Sequence, residues 1–422
     1  MFALSLDNPL RRLTPDGRLL FATRFVRLFA YGALSVVLVF YLVGLGLSES
    51  RTGLLLTATL VGDTVISLFL TTRADRLGRR RILILGAMLM AAAGIVFASA
   101  RNWWLLLLAG TIGVISPSGH EVGPFLSIEQ AALSHVVTDR TRTQVFAWYT
   151  LAGSFATALG ALAGGSVTRA LQRVSIEPVS TYRGVVILYA ALGLVLAVLF
   201  SRLSRAAEAA TFSERQALRG AFAGLSGLHR SRAVVMKLSG LFALDSFGGG
   251  FVIQSFAAYW FYLRFGVDPA TLGAIFFWAN ILAGISALLA ARIARRFGLI
   301  NTMVATHLPS NVLLIMVPLM PTLSWAIAVL LVRFSISQMD VPTRQSYVMA
   351  VVTPEERSAA GGITAVARTV GAAISPLFVG FMFARPRLIN LPFFIAGTLK
   401  IVYDLLLYRA FVKVHAPEEL RR

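Results

Sequence analysis

The sequence predicts an all-α integral membrane protein of about twelve transmembrane helices in two pseudo-symmetric six-helix halves. Three observations predict it. Of 422 residues, 57% are hydrophobic and only 14% are charged, whereas a soluble domain carries about 25% charged residues. Apolar runs of about twenty residues, enough to cross a bilayer, recur along the whole chain. Segments of the second half also repeat segments of the first in the same order.

The spans are read at 20–47, 53–73, 82–100, 103–137, 145–170 and 184–203, then 234–265, 273–294, 300–320, 323–352, 361–384 and 391–412. Runs of this length are too long for barrel strands, so only helices fit. Domain boundaries follow: a first half at 1–203, a polar linker at 204–232 and a second half at 233–422. In the linker, Thr211 and Glu214 read as a capping box, and Leu218, Phe222 and Leu225 recur at helical spacing among arginines. A short amphipathic helix on anionic lipid headgroups is expected there, with a plain linker as the alternative.

The repeat has particular residues. Glu129-Gln130 through Val136-Val137-Thr138 aligns without a gap on Arg344-Gln345 through Val351-Val352-Thr353. The same offset carries Arg142 onto Arg357 and Gly165 onto Gly380. Leu28-Phe29-Ala30 matches Leu241-Phe242-Ala243, and Phe40-Tyr41-Leu42 matches Phe261-Tyr262-Leu263.

Charge sets the orientation. The run Arg73-Ala74-Asp75-Arg76-Leu77-Gly78-Arg79-Arg80-Arg81 lies between two apolar stretches and cannot sit in lipid. Its arginines assign the loop to the cytoplasm. Arg11, Arg12 and Arg18, the linker arginines, Arg292, Arg295 and Arg296, and Lys413, Arg421 and Arg422 share that side if the N-terminus is cytoplasmic. The net charge of +20 is therefore an orientation signal rather than a nucleic-acid footprint, and no nucleic-acid partner is expected. Both termini are expected in the cytoplasm, with the chain in the inner or plasma membrane. Met1–Pro15 is polar and lacks the apolar core of a signal peptide. There is no cysteine, hence no disulfide and no thiolate metal site, and no metal is expected. Trp103-Trp104 and Tyr259-Trp260-Phe261-Tyr262 fit an outer interfacial belt.

Ionisable residues inside spans cost about 2.5–3.5 kcal/mol each, so they must face protein or water. Counting helical rise from the cytoplasmic end puts Asp63, Asp245 and Asp340 near the midplane. Arg27, Glu129, Arg344 and Arg368 fall in the cytoplasmic third, and Glu121 and Arg333 lie toward the outside. Arg333, Asp340 and Arg344 share one face of the tenth span, as Arg24, Arg27 and Tyr31 do in the first. The fourth span holds Pro117, Gly119, Gly123 and Pro124, which should break it, and a broken membrane helix commonly marks a binding site. His120 beside Glu121 offers either a proton relay or a packing residue. Lys400 and Asp404 share a face of the twelfth span and are expected to neutralise each other.

Asp75-Arg76-Leu77-Gly78-Arg79-Arg80 resembles the loop between the second and third helices of the major facilitator superfamily of transporters. That loop usually begins with Gly four residues before the Asp, where this chain has Thr71. Pro342-Thr343-Arg344-Gln345 followed by Pro354-Glu355-Glu356-Arg357 resembles the corresponding segment of the second half. The resemblance implies that helices one, four, seven and ten line a central cavity. It places Arg27, Glu121, Glu129, Asp245, Asp340 and Arg344 there as substrate or proton contacts, with purely structural ion pairs as the alternative. It also implies a conformational switch at Asp75, Gly78 and Arg79, with Asp75 seated at the N-terminal end of the eleventh helix near Gly361. Exporters of the superfamily often carry Gly-Pro-x-x-Gly-Gly in the fifth helix; here Ala161 takes the place of the proline in Gly160-Ala161-Leu162-Ala163-Gly164-Gly165.

No P-loop, metalloprotease His pair or nucleophile elbow is present, so no enzyme activity or cofactor is expected, and energy must come from a gradient. The expected function is proton-coupled export of a small polar or charged molecule by a monomer. The alternatives are a proton-coupled importer, or a receptor or lipid-moving protein on the same scaffold. Asp245 and Asp340, desolvated near the midplane, are the expected proton carriers. Glu129 and Arg344, equivalent in the repeat, are expected to approach each other across the two-fold axis and, with Arg27, to help close the cytoplasmic side when the cavity opens outward.

Overall fold

Helix ends follow from caps written in the sequence. Thr14 accepts the Gly17 N–H at 3.1 Å and Pro15 takes the first helical position, which starts α1 (Pro15–Gly44). Ser48 caps α2 (Glu49–Leu77). A single residue, Gly78 at φ 95°, then turns the chain into α3 (Arg79–Ser99). The left-handed region is open to glycine at no steric cost, and the turn needs it. Asn102 caps α4 (Trp103–Ile112) through the N–H groups of Trp104 and Leu105. The first half is completed by α5 (Phe125–Val136), α6 (Asp139–Arg173) and α7 (Pro178–Ser201).

The second half runs through α8 (Arg232–Gly250), α9 (Gln254–Phe265), α10 (Pro269–Phe297) and α11 (Leu299–Met316). It ends with α12 (Leu323–Ile336), α13 (Asp340–Val351), α14 (Arg357–Phe383) and α15 (Leu391–Phe411). Between α10 and α11 the turn is again one glycine, Gly298 at φ 85°. This computed structural model describes residues 13–136, 139–204, 207–208, 231–353 and 356–412. The expected linker helix falls mostly on 209–230 and lies outside the described residues.

Among the described residues, eleven helical stretches are long and apolar enough to cross a membrane. The fourth crossing completes the expected twelve as two short helices, α4 and α5, separated by an irregular segment at 113–124. The seventh span is likewise α8 followed by α9, and the tenth α12 followed by α13. The outer surface is apolar: Leu105, Leu108, Val198 and Leu405 are all more than half exposed. Water would not tolerate that many exposed chains in bands, and lipid does.

Packing repeats between the halves. In the first, α1 lies on α6 and α3 on α7; in the second, α8 lies on α14 and α11 on α15. The halves meet along α2 with α14 and α6 with α10. Backbones touch there because glycines allow it. A Cβ on Gly53 would sit 2.4 Å from the Pro376 carbonyl oxygen, and one on Gly380 would sit 2.4 Å from that of Glu49. On the other seam, a Cβ on Gly165 would lie 2.2 Å from the Pro269 oxygen. Gly160 and Gly165 are thus explained by close helix packing.

Hydrogen bonds cross between the halves at the end opposite the arginine-rich turns. Gln254 Nε2 donates to Ser35 Oγ at 2.8 Å, and Asn280 Nδ2 donates to Gln254 Oε1 at 3.1 Å. Ser255 Oγ and its N–H both donate to the Pro117 carbonyl, at 2.5 and 3.2 Å. Tyr259 donates to Glu49 at 3.1 Å, and Phe40 packs on both Tyr259 and Tyr262. The 259–262 cluster is therefore not the expected interfacial belt. Tyr259, Trp260 and Phe261 are buried in this seal, with Trp260 donating to Asn390 at 2.9 Å, and only Tyr262 is exposed. Trp104, at 71% exposure, does face outward. At the arginine-rich end, α5 and α13 do not pack along one another.

Gly380→Val should break the seal by pushing α2 from α14. Overpacking of this kind costs about 1–3 kcal/mol, which moves a two-state population about 5- to 150-fold. A single Ser35→Cys probe reads it cleanly, because the chain has no native cysteine. Labelling of Ser35→Cys from the sealed side should be faster in the Gly380→Val background; equal rates would mean that this glycine contact does not hold the seal.

Candidate functional site: two buried charge networks

The broken fourth span shows how the sequence builds the first network. Pro117 and Pro124 remove amide hydrogens and free carbonyls that lipid cannot satisfy. Side chains take over. Ser116 Oγ donates to the His120 carbonyl at 2.7 Å, Thr157 Oγ1 to the Gly119 carbonyl at 3.3 Å, and the Tyr189 hydroxyl to the Val114 carbonyl. Asp63 accepts the Gly123 N–H at 2.6 Å. This irregular stretch aims Glu121 at α1, while α5 aims Glu129 at the same helix.

On α1, Arg27 is fully buried and donates to both Glu129 oxygens, from NH1 and NH2, at 2.7 Å each. Glu129, also fully buried, accepts from Thr23 Oγ1 at 2.9 Å and from the Tyr149 hydroxyl of α6. Arg27 reaches Glu121 as well, at 3.2 Å, and Arg24 NH1 donates to Glu121 at 2.6 Å. The Arg24 guanidinium lies over the Tyr149 ring and that of Arg27 over Phe125. Two arginines and two glutamates balance, with every carboxylate in a charge-assisted hydrogen bond. His120 is not among these ion-paired groups, since Glu121 is paired with Arg24 and Arg27.

The second network is larger than the sequence indicated. Asp245 on α8 is its hub. Lys400 Nζ of α15 donates to Asp245 Oδ1 at 2.6 Å, and Arg344 NH1 of α13 donates to Oδ2 at 3.0 Å. Arg344 also pairs with Asp340, one turn away, at 3.3 Å. His307 of α11 stands between two carboxylates, with Nδ1 2.7 Å from Asp404 Oδ1 and Nε2 3.7 Å from Asp245 Oδ1. Asn311 completes the group by donating to Asp404 Oδ2 at 2.9 Å.

Several expectations change in consequence. Lys400 and Asp404 do not neutralise each other. The side chain of Lys400 reaches the seventh span, and Asp404 is held by the ninth. Glu129 and Arg344 do not meet either, since each is paired inside its own half. The cytoplasmic closure expected of that pair with Arg27 is not formed in this conformation. Asp245 and Asp340 are desolvated, as expected, yet both are ion-paired, so burial alone does not mark them as proton carriers. His307 and Asn311 escaped the sequence reading, although their spacing of four residues inside a span was a usable signal.

One oxygen or nitrogen from each of Asp245, His307 and Asp340 lie within 4.8 Å of one another. A divalent cation would find those donors already engaged by Lys400 and Arg344 and would share the space with their positive charges. The donor set does not fit a resident metal.

At the arginine-rich turn, the side chain of Asp75 lies outside the described residues, and with it the contact expected near Gly361. Gly78 makes the turn. The N–H groups of Arg79 and Arg80 both donate to Glu208 of the linker, at 2.7 and 3.1 Å. A linker carboxylate thus caps α3, where the helix dipole favours negative charge. Sequence spacing gave no hint of this, because 129 residues separate Arg79 from Glu208.

A twelve-crossing helical body with two similar halves and buried ion networks in each now stands beside the sequence match. Residues 20–376 match the Major Facilitator Superfamily. The chain belongs to that superfamily. A Saccharomyces cerevisiae membrane protein, YJR124C, is 31% identical over 95% of this chain and 95% of its own length. The quinolone resistance protein NorA of Staphylococcus aureus is 36% identical over a shorter stretch, 22% of this chain and 24% of NorA. Among solved structures, the nucleoside transporter NupG superimposes with a TM-score of 0.71 at 14% identity, over 94% of this chain and 99% of NupG. At that identity the likeness shows the shared fold. This superfamily member is thus a multi-pass membrane protein of a transporter family.

Proposed function

We propose that this superfamily member is a proton-coupled secondary transporter that exports a small polar or charged molecule by alternating access. It acts in the inner or plasma membrane, as a monomer, with both termini and the arginine-rich turns in the cytoplasm. The observation that carries the reading is the asymmetry of the seam: the halves are sealed at one end by the Ser35–Gln254–Asn280 chain and the Ser255–Pro117 bonds, while α5 and α13 stay apart at the other. A body sealed at one end is one of the two states that alternating access requires, and rocking one half on the other supplies the second.

Arg27, Glu121 and Glu129 in one half, and Asp245, Asp340 and Arg344 in the other, form the binding and coupling groups. His307, Asn311 and Lys400 extend the second set. The switch is Asp75, Gly78 and Arg79. Export is favoured by the stretch of likeness to NorA, a resistance protein. No resident cofactor is required, since movement of a proton among carboxylates and an imidazole can be linked to the rocking.

The test is flux in proteoliposomes with an imposed pH gradient, run against a panel of small organic anions, cations and sugars. Uphill movement of one panel member that collapses with the gradient is the expected result. Gradient-independent binding without flux would mean a receptor, and uptake coupled to inward proton movement would mean an importer. Asp340→Asn should abolish uphill movement and leave binding measurable; transport at the parent rate would make Asp340 structural.

A further inference from the structure

Asp63, near the midplane of the second span, has no part in either network. Among the described residues, every other carboxylate inside a span faces a cation or an imidazole. Glu121 and Glu129 face Arg24 and Arg27, Asp245 and Asp340 face Arg344, and Asp404 faces His307. Asp63 makes no ion pair with a described residue. Its Oδ1 accepts the Gly123 N–H at 2.6 Å and the Ser67 hydroxyl, one turn along α2, at 3.3 Å. Oδ2 accepts from no described residue, and the side chain is only partly buried. The titratable groups it faces are the hydroxyls of Tyr31 on α1 and Tyr189 on α7. Tyr31 donates to the Val122 carbonyl, next to Gly123, at 3.4 Å. Of the other helices packed on α2, α4 has no titratable residue and α3 has arginines only in its first turn. Glu129 of α5 is taken by Arg27, and Arg357 and Arg368 of α14 make no ion pair with Asp63.

Gly123 ends the irregular segment 113–124, and Pro124 after it has no amide hydrogen to offer. That one segment joins three contacts. Its Pro117 carbonyl accepts both Ser255 bonds of the seal, and a Cβ on Gly119 would lie 3.1 Å from Ser35 Oγ. Its Glu121 holds Arg24 and Arg27. Its Gly123 is held by Asp63. Within it, Ser116 donates to the His120 carbonyl and the His120 N–H donates to Ser118, which ties the stretch together. The other side of the Asp63 contact is fixed, because a Cβ on Gly62 would lie 1.8 Å from the Thr111 carbonyl oxygen at the end of α4. A change at Asp63 therefore passes along the segment to both the ion network and the seal.

We propose that Asp63 binds the coupling proton and that its ionised form holds the 113–124 segment in the sealed arrangement. The inference rests on the proton-coupled reading and adds a site of proton binding in the first half. A charged acceptor makes a hydrogen bond roughly twice as strong as a neutral one. With Asp63 ionised, Gly123 is held and the empty protein stays sealed. A carboxylate without a counter-charge is neutralised by a proton, which a guanidinium cannot mimic. A proton on Oδ2 weakens the grip on Gly123, and the segment is released with Glu121 and Pro117. Exchange needs this property, since a form that carries neither proton nor substrate must not cross.

Single-cysteine labelling of the full-length protein in lipid vesicles tests this. Ser35→Cys is labelled from the sealed side over a series of pH values, with Asp63 intact and with Asp63→Asn. Dividing the first rate by the second at each pH removes the ionisation of the thiol itself. Asp63→Asn, neutral at every pH, should label fast throughout. With Asp63 intact, labelling should be about tenfold slower at high pH and should approach the variant as pH falls. A ratio that does not change with pH overturns the proposal. Infrared spectroscopy of protein made with isotope-labelled aspartate gives a second readout that does not need Asp63→Asn to fold. The protonated-carboxyl band that titrates should carry the isotope shift in the parent and lose it in Asp63→Glu. A band that keeps its shift in Asp63→Glu puts the proton on another aspartate and also overturns the proposal. In proteoliposomes, gradient-driven uphill flux at the parent rate in Asp63→Asn would remove the site and keep the transporter reading. A titrating Asp63 with gradient-independent binding and no flux would keep the site and remove that reading.

Discussion

Glu129→Gln should be the most damaging single substitution in the first half. It leaves Arg27, which is fully buried, with only the 3.2 Å contacts to Glu121, and it turns an ionic acceptor of Thr23 and Tyr149 into an amide. Breaking a buried pair by removing one member costs about 3–5 kcal/mol, because the remaining charge has nowhere to go. The expected result is a fall in the yield of monodisperse protein and a lower Tm in detergent. Arg27→Gln alone should do similar harm by stranding Glu129. The double variant should lose less than the sum, since both charges leave together. Additive losses would show that Arg27 and Glu129 do not act as a pair. Charge reversal of Glu129 with Arg344 tests instead the closure expected when the cavity opens outward: more activity in the double variant than in either single one would support it, and additive damage would argue against a direct pair.

The second large effect is expected at Asp245. Asp245→Asn removes one carboxylate on which Lys400 and Arg344 converge at 2.6 and 3.0 Å and which His307 approaches. Lys400 would then lose the carboxylate it is paired with, and Arg344 would keep only Asp340. A loss of about 3–5 kcal/mol is expected, together with loss of uphill transport. Adding Lys400→Met should restore much of the folding, since a buried ammonium goes with its counter-charge and Met fills its volume. Transport should stay lost, because the link between the seventh and twelfth spans is ionic in the parent and apolar in the rescue. If the rescued protein transports uphill at the parent rate, the Asp245–Lys400 pair is scaffolding only. If Lys400→Met fails to restore folding, Arg344 rather than Lys400 is the cation that depends on Asp245.

The sequence by itself determined the class of molecule and the break in its fourth span, but not the breaks in the seventh and tenth. Hydrocarbon leaves a chain no choice but helices with satisfied backbones, so apolar length and the positions of Pro117, Pro124 and the turn glycines Gly78 and Gly298 are readable one residue at a time. The intramembrane charges were also legible, since lipid makes each one conspicuous. Their pairing was not. Lys400 and Asp404 sit one turn apart on one helix, which is what local spacing can report, yet Lys400 spans to Asp245 across 155 residues of chain. Glu129 and Arg344 are equivalent by repeat, yet each is neutralised inside its own half. Partner choice depends on how the long side chains of α1, α8, α13 and α15 are presented across helix interfaces, and that is set by which backbones come close inside each half, as at Gly160 beside Phe29 and Gly371 beside Ala243. Only the tertiary structure fixes those distances. An ion pair gains or loses its energy over a few ångströms in a medium that screens it weakly, so the partners of these charges were decided there.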